Sequence, residues 1–353
     1  MTPRQLFWKR FLSHRPAVFS LGIILLFTLT AFLGYLIIPD TSTTVNQQCL
    51  PLTAAKMGQP VTYLYESPPQ RFQSWSQAFT GNPSPVIRHA IEPTSAVVKQ
   101  QRWEATMLGT DRKVSVPYVN ENQIQRTHYF LGSDGFGRDL WSRMVIGLRV
   151  SLSVGLVAVF ISLLVGIVLG SMAGYFGGWI DTLILWLIQV FWSIPGLLLV
   201  MAISIGLGKG IQTVFLAVGL GMWVEVARVV RAEIRSLKER EYVLAAKLMG
   251  FSAPRIIFVH IMPALWGPLI ILSSANFANA ILVESGLSFL GLGVQPPMPS
   301  LGSLIRENYP YLMLDALHLL AIPATVVVVL VMAFNWLGNG LNDAFRVKQS
   351  NQR

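Results

Sequence analysis

Six apolar stretches, at about residues 17–38, 151–175, 179–206, 213–230, 256–292 and 317–337, set the terms for any fold this chain can adopt. Each reaches the roughly 18 residues a helix needs to cross a bilayer, so the sequence predicts six membrane-spanning helices. Composition agrees: 12% of the residues are charged, where a soluble domain is about one-quarter charged. In a soluble protein the net charge of +10 would point to nucleic acid. Here it reads as anchoring of inner loops at membrane lipid, because Lys and Arg collect on the cytoplasmic side of membrane proteins, and no nucleic-acid partner is expected. Cys49 is the only cysteine and the five histidines are scattered, so neither an intramolecular disulfide nor a Cys/His metal site is expected.

The first stretch follows Arg4, Lys9, Arg10 and Arg15 and ends in Ile-Ile-Pro-Asp. A cleavable signal peptide has a shorter apolar core and a small-residue cleavage site, so this run reads as a retained helix with a cytoplasmic N-terminus. Alternation through six spans then places both termini inside and the long polar region 39–137 outside. Charge supports that orientation. The segment 228–255 holds Arg228, Arg231, Arg235, Lys238, Arg240, Lys247 and Arg255, and the tail adds Arg346, Lys348 and Arg353. The two short outer loops hold only Lys209 and Arg306.

The chain thus divides into a cytoplasmic N-terminus with the first helix (1–38), an extracytoplasmic insertion (39–137), a five-helix core (138–345) and a cytoplasmic tail (346–353). The insertion is too long for a simple connector and has no sustained period, which fits a small domain and an irregular excursion equally. Pro195 should kink the third span. In "GRDLWSRMVIGLR", Leu140, Trp141, Met144, Val145 and Leu148 share one helical face among Arg138, Asp139, Arg143 and Arg149. That suits a short helix along the membrane interface, or an extension of the next span.

The inner loop "RSLKEREYVLAAKLMGFSAPRIIFVHIMPAL" predicts a short helix, a sharp break and a second helix. Residues 241–249 are good helix formers, Gly250 can take the left-handed conformation that ends a helix, Ser252 is a potential N-cap and Pro254 is tolerated in a first turn. Ala245 and Ala246 give the short helix a small-residue patch that permits close approach of another protein. The loop resembles the "EAA" loop of ABC-importer permeases, with two alanines, a glycine four residues on and a proline thirteen after that: Ala245, Ala246, Gly250 and Pro263. Leu244 replaces the glutamate usual before the alanines, leaving Glu241 one turn earlier. His260 occupies an aliphatic position, a form associated with the dipeptide and oligopeptide branch. Segments 131–152 ("LGSDGFGRDLWSRMVIGLRVSL") and 288–307 ("SFLGLGVQPPMPSLGSLIRE") resemble two further signatures of that branch. The resemblance spans 131–345 and leaves out 39–130.

This resemblance, closest to the C-type permease of the dipeptide/oligopeptide/nickel group, implies an all-α membrane protein with the type I ABC importer permease fold, in the bacterial inner membrane. It implies a coupling loop, 232–262, in which Glu241, Ala245, Ala246, Gly250, His260 and Pro263 serve a cytoplasmic ATPase. The implied partners are a second homologous permease, two ATPase subunits and an extracytoplasmic solute-binding protein. No cofactor is implied. The only Gly-Lys in a glycine-rich stretch, "GLGKG" at 206–210, lacks the following Ser/Thr and the spacing of a phosphate-binding loop, so the chain is not expected to be an enzyme.

Ionisable and amide side chains within spans are candidates for the translocation path, since a charge at a helix centre costs about 2.5–3.5 kcal/mol on insertion scales. Glu284 is the clearest, lining the path or bonding a neighbouring helix. Asn276, Asn279 and Ser273 fall at helical spacing and fit a polar stripe facing a cavity, or polar glue between helices. Asp181 reads as structural, Glu225 and Arg228 as a local i,i+3 pair, and His260 as a packing residue of the loop or a proton sensor. Two other functions compete with an ATP-driven importer for peptides or a similar small solute. An ion-gradient transporter would show inverted repeats and paired carboxylates; a scaffold built on 39–130 would need the insertion and dispense with the loop.

Overall fold

The computed structural model describes residues 3–350 apart from 70, 71, 73, 84 and 315, with side chains from 5 to 345. The tail side chains Arg346, Lys348 and Arg353, counted above as inner charges, lie outside the described residues, as does that of Arg4. In lipid a backbone must satisfy its own hydrogen bonds, and the apolar runs accordingly form helices. After α1 (Pro3–Ser13), the first span is α2 (Arg15–Phe32). Next come α3 (Leu140–Phe176), α4 (Gly178–Ser193) and α5 (Gly196–Leu207), then α6 (Ile211–Leu237) and the short α7 (Glu241–Leu248). Helices α8 (Met262–Phe289), α9 (Leu301–Asn308) and α10 (His318–Ser350) follow, and the remaining helical segments are of three to four residues or 3-10 and π turns.

Among the described residues five helices are long and apolar enough to span, and α4 with α5, bent by 96° at their junction, make a sixth if the pair is one span. The bend has the expected cause. Ile194 is extended (φ −95°, ψ 128°) immediately before Pro195, because the proline ring excludes the helical conformation from its predecessor. Lipid-facing character is plain on α3, where Leu156, Phe160, Leu164, Val168 and Met172 are exposed at four-residue steps.

The segment 138–149 does not form an interfacial helix. It extends the span, α3 being one helix of 37 residues, and the amphipathic reading fails for a physical reason: the supposed polar side is buried too. Ser142 and Arg143 are as inaccessible as Leu140 and Val145.

Two compact units emerge, one drawing on Met1–Leu26, Ser151–Gly293 and Val327–Arg353, the other on Phe27–Val150 and Val294–Val326. In the first, α3 and α6 approach closely. A Cβ on Gly166, Gly170 or Gly174 would meet Val226 Cβ at 2.4 Å, the Ala227 carbonyl oxygen at 2.6 Å and the Arg231 carbonyl oxygen at 2.8 Å. Small residues every fourth position let two helix backbones approach where lipid supplies no hydrophobic drive. Asp181 of α4 accepts Nε and Nη2 of Arg231 on α6, at 2.5 and 2.7 Å, the structural role expected of it.

The second unit contains the insertion, whose regular structure is mainly strands. β1 (Gln59–Tyr65), β2 (Arg88–Ile91) and β6 (Ile124–Tyr129) form an antiparallel sheet in the order β2-β1-β6. β3 (Val97–Lys99), β4 (Arg102–Thr106) and β5 (Lys113–Pro117) form a second sheet. Alternation across β1 separates two small cores. Val61 and Tyr63 pack with Leu52, Ala90 and Tyr129, while Leu64 and Ile91 pack against Trp103, Ala105 and Val116 of the second sheet.

Candidate functional site

The inner loop is built as its sequence requires. α7 ends in a Schellman motif: Phe251 N–H donates to the Ala246 carbonyl (3.2 Å) and Gly250 N–H to that of Lys247 (3.0 Å). Gly250 sits at φ +78°, where a side chain with a Cβ costs about 1–2 kcal/mol. A Cβ there would meet nothing within 4 Å, so the requirement is conformational alone. Ser252 takes the N-cap position, but its hydroxyl makes no capping bond. Next comes a π-helical turn, Ile256–Ile261, in which Met262 N–H bonds five residues back to Ile257. Pro263 accounts for it, since its ring has no N–H and would crowd the carbonyl four residues earlier. His260 lies in this turn, Nδ1 at 3.5 Å from the Arg255 carbonyl and its ring 5.6 Å from that of Phe251.

One side of α7 is anchored. Val243 and Ala246 are buried in a core with Val230, Ile234, Ile256 and Ile261, and Phe251 packs on it. The other side is open: Glu241, Leu244 and Ala245 are exposed, and Leu248 and Met249 are 89% and 65% exposed. The two alanines therefore divide the work, Ala246 facing inward and Ala245 outward.

Within the spans, Glu284 is wholly buried and accepts hydrogen bonds from Ser151 Oγ (2.8 Å) and Ser288 Oγ (2.7 Å), tying α8 to α3. Asn276, Asn279 and Ser273 do not share one environment. Asn276 is buried, with neither amide atom bonded among the described residues, whereas Asn279 is exposed. Ser273 bonds back to the Leu269 carbonyl of its own helix (2.6 Å). Two steps of three residues fall about 120° short of whole turns, enough to rotate Asn279 off the face of Ser273. Glu225 and Arg228 form no ion pair among the described residues; the Arg228 guanidinium instead covers the Trp192 ring, 3.8 Å from its centroid.

A second constellation lies in the other compact unit, and the residue-by-residue reading did not anticipate it. Asp134 Oδ2 accepts Arg138 Nε (2.7 Å) and Arg143 Nη1 (2.5 Å); Arg143 Nη1 also donates to Glu307 Oε2 (2.7 Å), and Arg138 Nη2 pairs with the same carboxylate. Arg138 Nη1 reaches Asn46 Oδ1 (2.8 Å). Two cations and two anions thus neutralise one another out of water, as buried charges must. Asp134, Arg138 and Arg143 belong to the 131–152 signature and Glu307 ends the 288–307 signature, so the network joins two motifs far apart in sequence. The one available signal was that charges in an otherwise apolar chain concentrate within those segments. Beside it Asp139 accepts Ser142 N–H (3.0 Å), capping α3.

Two family models match the chain: "Binding-protein-dependent transport system inner membrane component" over residues 166–349 and "N-terminal TM domain of oligopeptide transport permease C" over residues 2–52. Similar proteins include the dipeptide transport system permease protein DppC of Alkalihalophilus pseudofirmus, 37% identical over 65% of this chain and 75% of that protein. The glutathione transport system permease protein GsiD of Pectobacterium atrosepticum is 34% identical over 70% of this chain and 81% of its own length. Among solved structures, the inward-facing MetNI methionine ABC transporter is 18% identical, with TM-score 0.45, covering 60% of this chain and 96% of that chain.

Proposed function

Since this chain belongs to the family of binding-protein-dependent transport system inner membrane components, and is a multi-pass inner-membrane permease subunit of an ATP-driven importer, we propose that its solute is a peptide or a compound of peptide-like chemistry. In this reading it pairs with a second, similar permease to enclose the path. Two cytoplasmic ATPase subunits supply the energy, one of them holding α7, and an extracytoplasmic binding protein delivers the solute. Both termini are cytoplasmic, and the stranded insertion faces the delivery side. Nucleotide binding favours one arrangement of the ATPases over the other, and a rigid lever between them and the spans carries that difference to the path.

The observation that carries the coupling role is the outward side of α7. Its inner side is fixed into a buried core while Leu248 and Met249 stand largely exposed, an apolar surface that calls for a partner. Gly250 is the position at which to test it. Asp tolerates the left-handed conformation better than most residues, and its Cβ would meet nothing within 4 Å. Gly250→Asp should therefore leave the chain inserted while placing a charge against the ATPase. In a pull-down of the tagged chain from mild detergent, ATPase subunits and a second permease should co-purify, with the variant retaining less ATPase and transporting several-fold more slowly. Gly250→Asn is the uncharged control. Normal uptake by the Asp variant would remove the coupling role.

A further inference from the structure

The stranded insertion holds a cleft of about 590 Å³, within the range of small-molecule sites. One wall is the face of the β2-β1-β6 sheet that carries Tyr65, Arg88, Gln125 and Thr127. Register explains the grouping: Tyr65 lies opposite Arg88, Tyr63 opposite Gln125 and Val61 opposite Thr127, and directly paired residues point to the same side of a sheet.

Arg88 is the unusual member. Its side chain is only 8% exposed, and Asp40 Oδ2 lies 3.8 Å from its Nη2, too far for a hydrogen bond. The guanidinium makes no hydrogen bond among the described residues, although it carries five donors. It lies 4.3 Å from the centroid of the Tyr63 ring, which supports it from one side. Asp40 supplies it with charge but not with a hydrogen bond. Its Oδ1 is taken by the amide and hydroxyl of Ser42, and its Oδ2 is buried without a hydrogen bond. Burial acts to lower the Arg88 pKa, Asp40 acts to raise it, and the net displacement is upward, so the group stays cationic. A buried cation with unused donors at the wall of an open cleft lacks a bidentate acceptor, for which a carboxylate has the matching geometry. The rest of the lining mixes amides and hydroxyls, from Gln47, Gln125, Thr127 and Tyr65 and suited to peptide groups, with Arg126, His128 and apolar residues. A single acidic side chain from a docking protein would leave most of the volume empty.

We propose that this cleft is a binding site for a short peptide or similarly sized amide-rich molecule bearing a free carboxylate, with Arg88 as the carboxylate partner and Gln125 and Thr127 facing its backbone. The site stands on the cleft's own chemistry, and its loss would leave the transport reading intact.

The test uses the full chain purified in detergent, with trialanine and trialanine amide as probes in titration calorimetry. Trialanine should bind, and its amide at least tenfold more weakly. Gln125→Trp, which puts bulk into the cleft from an exposed position on β6, should abolish binding of the acid. Arg88→Gln should reduce the acid to the affinity of the amide; if that variant does not fold, the first two comparisons decide. Equal affinity for acid and amide, no binding of the acid, or binding unchanged by Gln125→Trp would each overturn the proposal, the last by placing the peptide elsewhere in the chain.

Discussion

At the scale of single residues, the strongest constraint is the charge network around Asp134. Its side chain is 1% exposed and accepts from two guanidinium groups. Replacing one member of a buried ionic cluster leaves the others uncompensated, at a cost of about 3–5 kcal/mol. Asp134→Asn keeps the shape and removes the charge, so the detergent-solubilised chain should lose heat stability by a clear margin, and a double change that also neutralises Arg143 should recover part of it. A single variant as stable as the parent would show that the network is ornamental. Glu284 differs in accepting from two neutral serine hydroxyls. Its burial was legible in the sequence as a charge within a span; its partners were not, because Ser151 is remote in the chain.

Between elements, the α3–α6 contact illustrates how position decides the meaning of glycine. Gly170 packs against the backbone of α6, whereas Gly206 of α5 has nothing within 4 Å of where a Cβ would stand. Gly170→Leu should prevent close approach and yield aggregated or misfolded protein on size-exclusion chromatography. Gly206→Ala should be neutral or raise the stability of its helix by up to about 1 kcal/mol, as helix propensity dictates. Similar behaviour of both variants would mean that the contact is loose. The four-residue spacing of Gly166, Gly170 and Gly174 is visible in the sequence; that these glycines, and not the equally regular Leu156, Phe160 and Leu164, face a helix is not. The loop at Gly250 was more legible, because a helix end, a left-handed glycine and a proline-disturbed helix are all local features.

For the molecule as a whole, the orientation of the spans can be read by cysteine accessibility. In a chain with Cys49→Ala, a cysteine placed by Trp75→Cys, where the native side chain is 89% exposed, should react with a membrane-impermeant maleimide in spheroplasts. One placed by Leu248→Cys should react only after the membrane is opened. The reverse pattern would invert the proposed topology. The apolar spanning helices, the bend at Pro195 and the break at Gly250 were determined by the sequence, since hydropathy over a window and backbone restrictions at proline and glycine act within a few residues of one another. Tertiary structure alone decided the rest. It folded the aperiodic insertion into two sheets, because strand partners are set by pairing across the chain. It buried Arg138 and Arg143, because only the arrival of Glu307 from a distant segment makes their desolvation bearable. It turned Asn276 inward and Asn279 outward, because which side of a helix is covered depends on its neighbours, and no single stretch of sequence contains them.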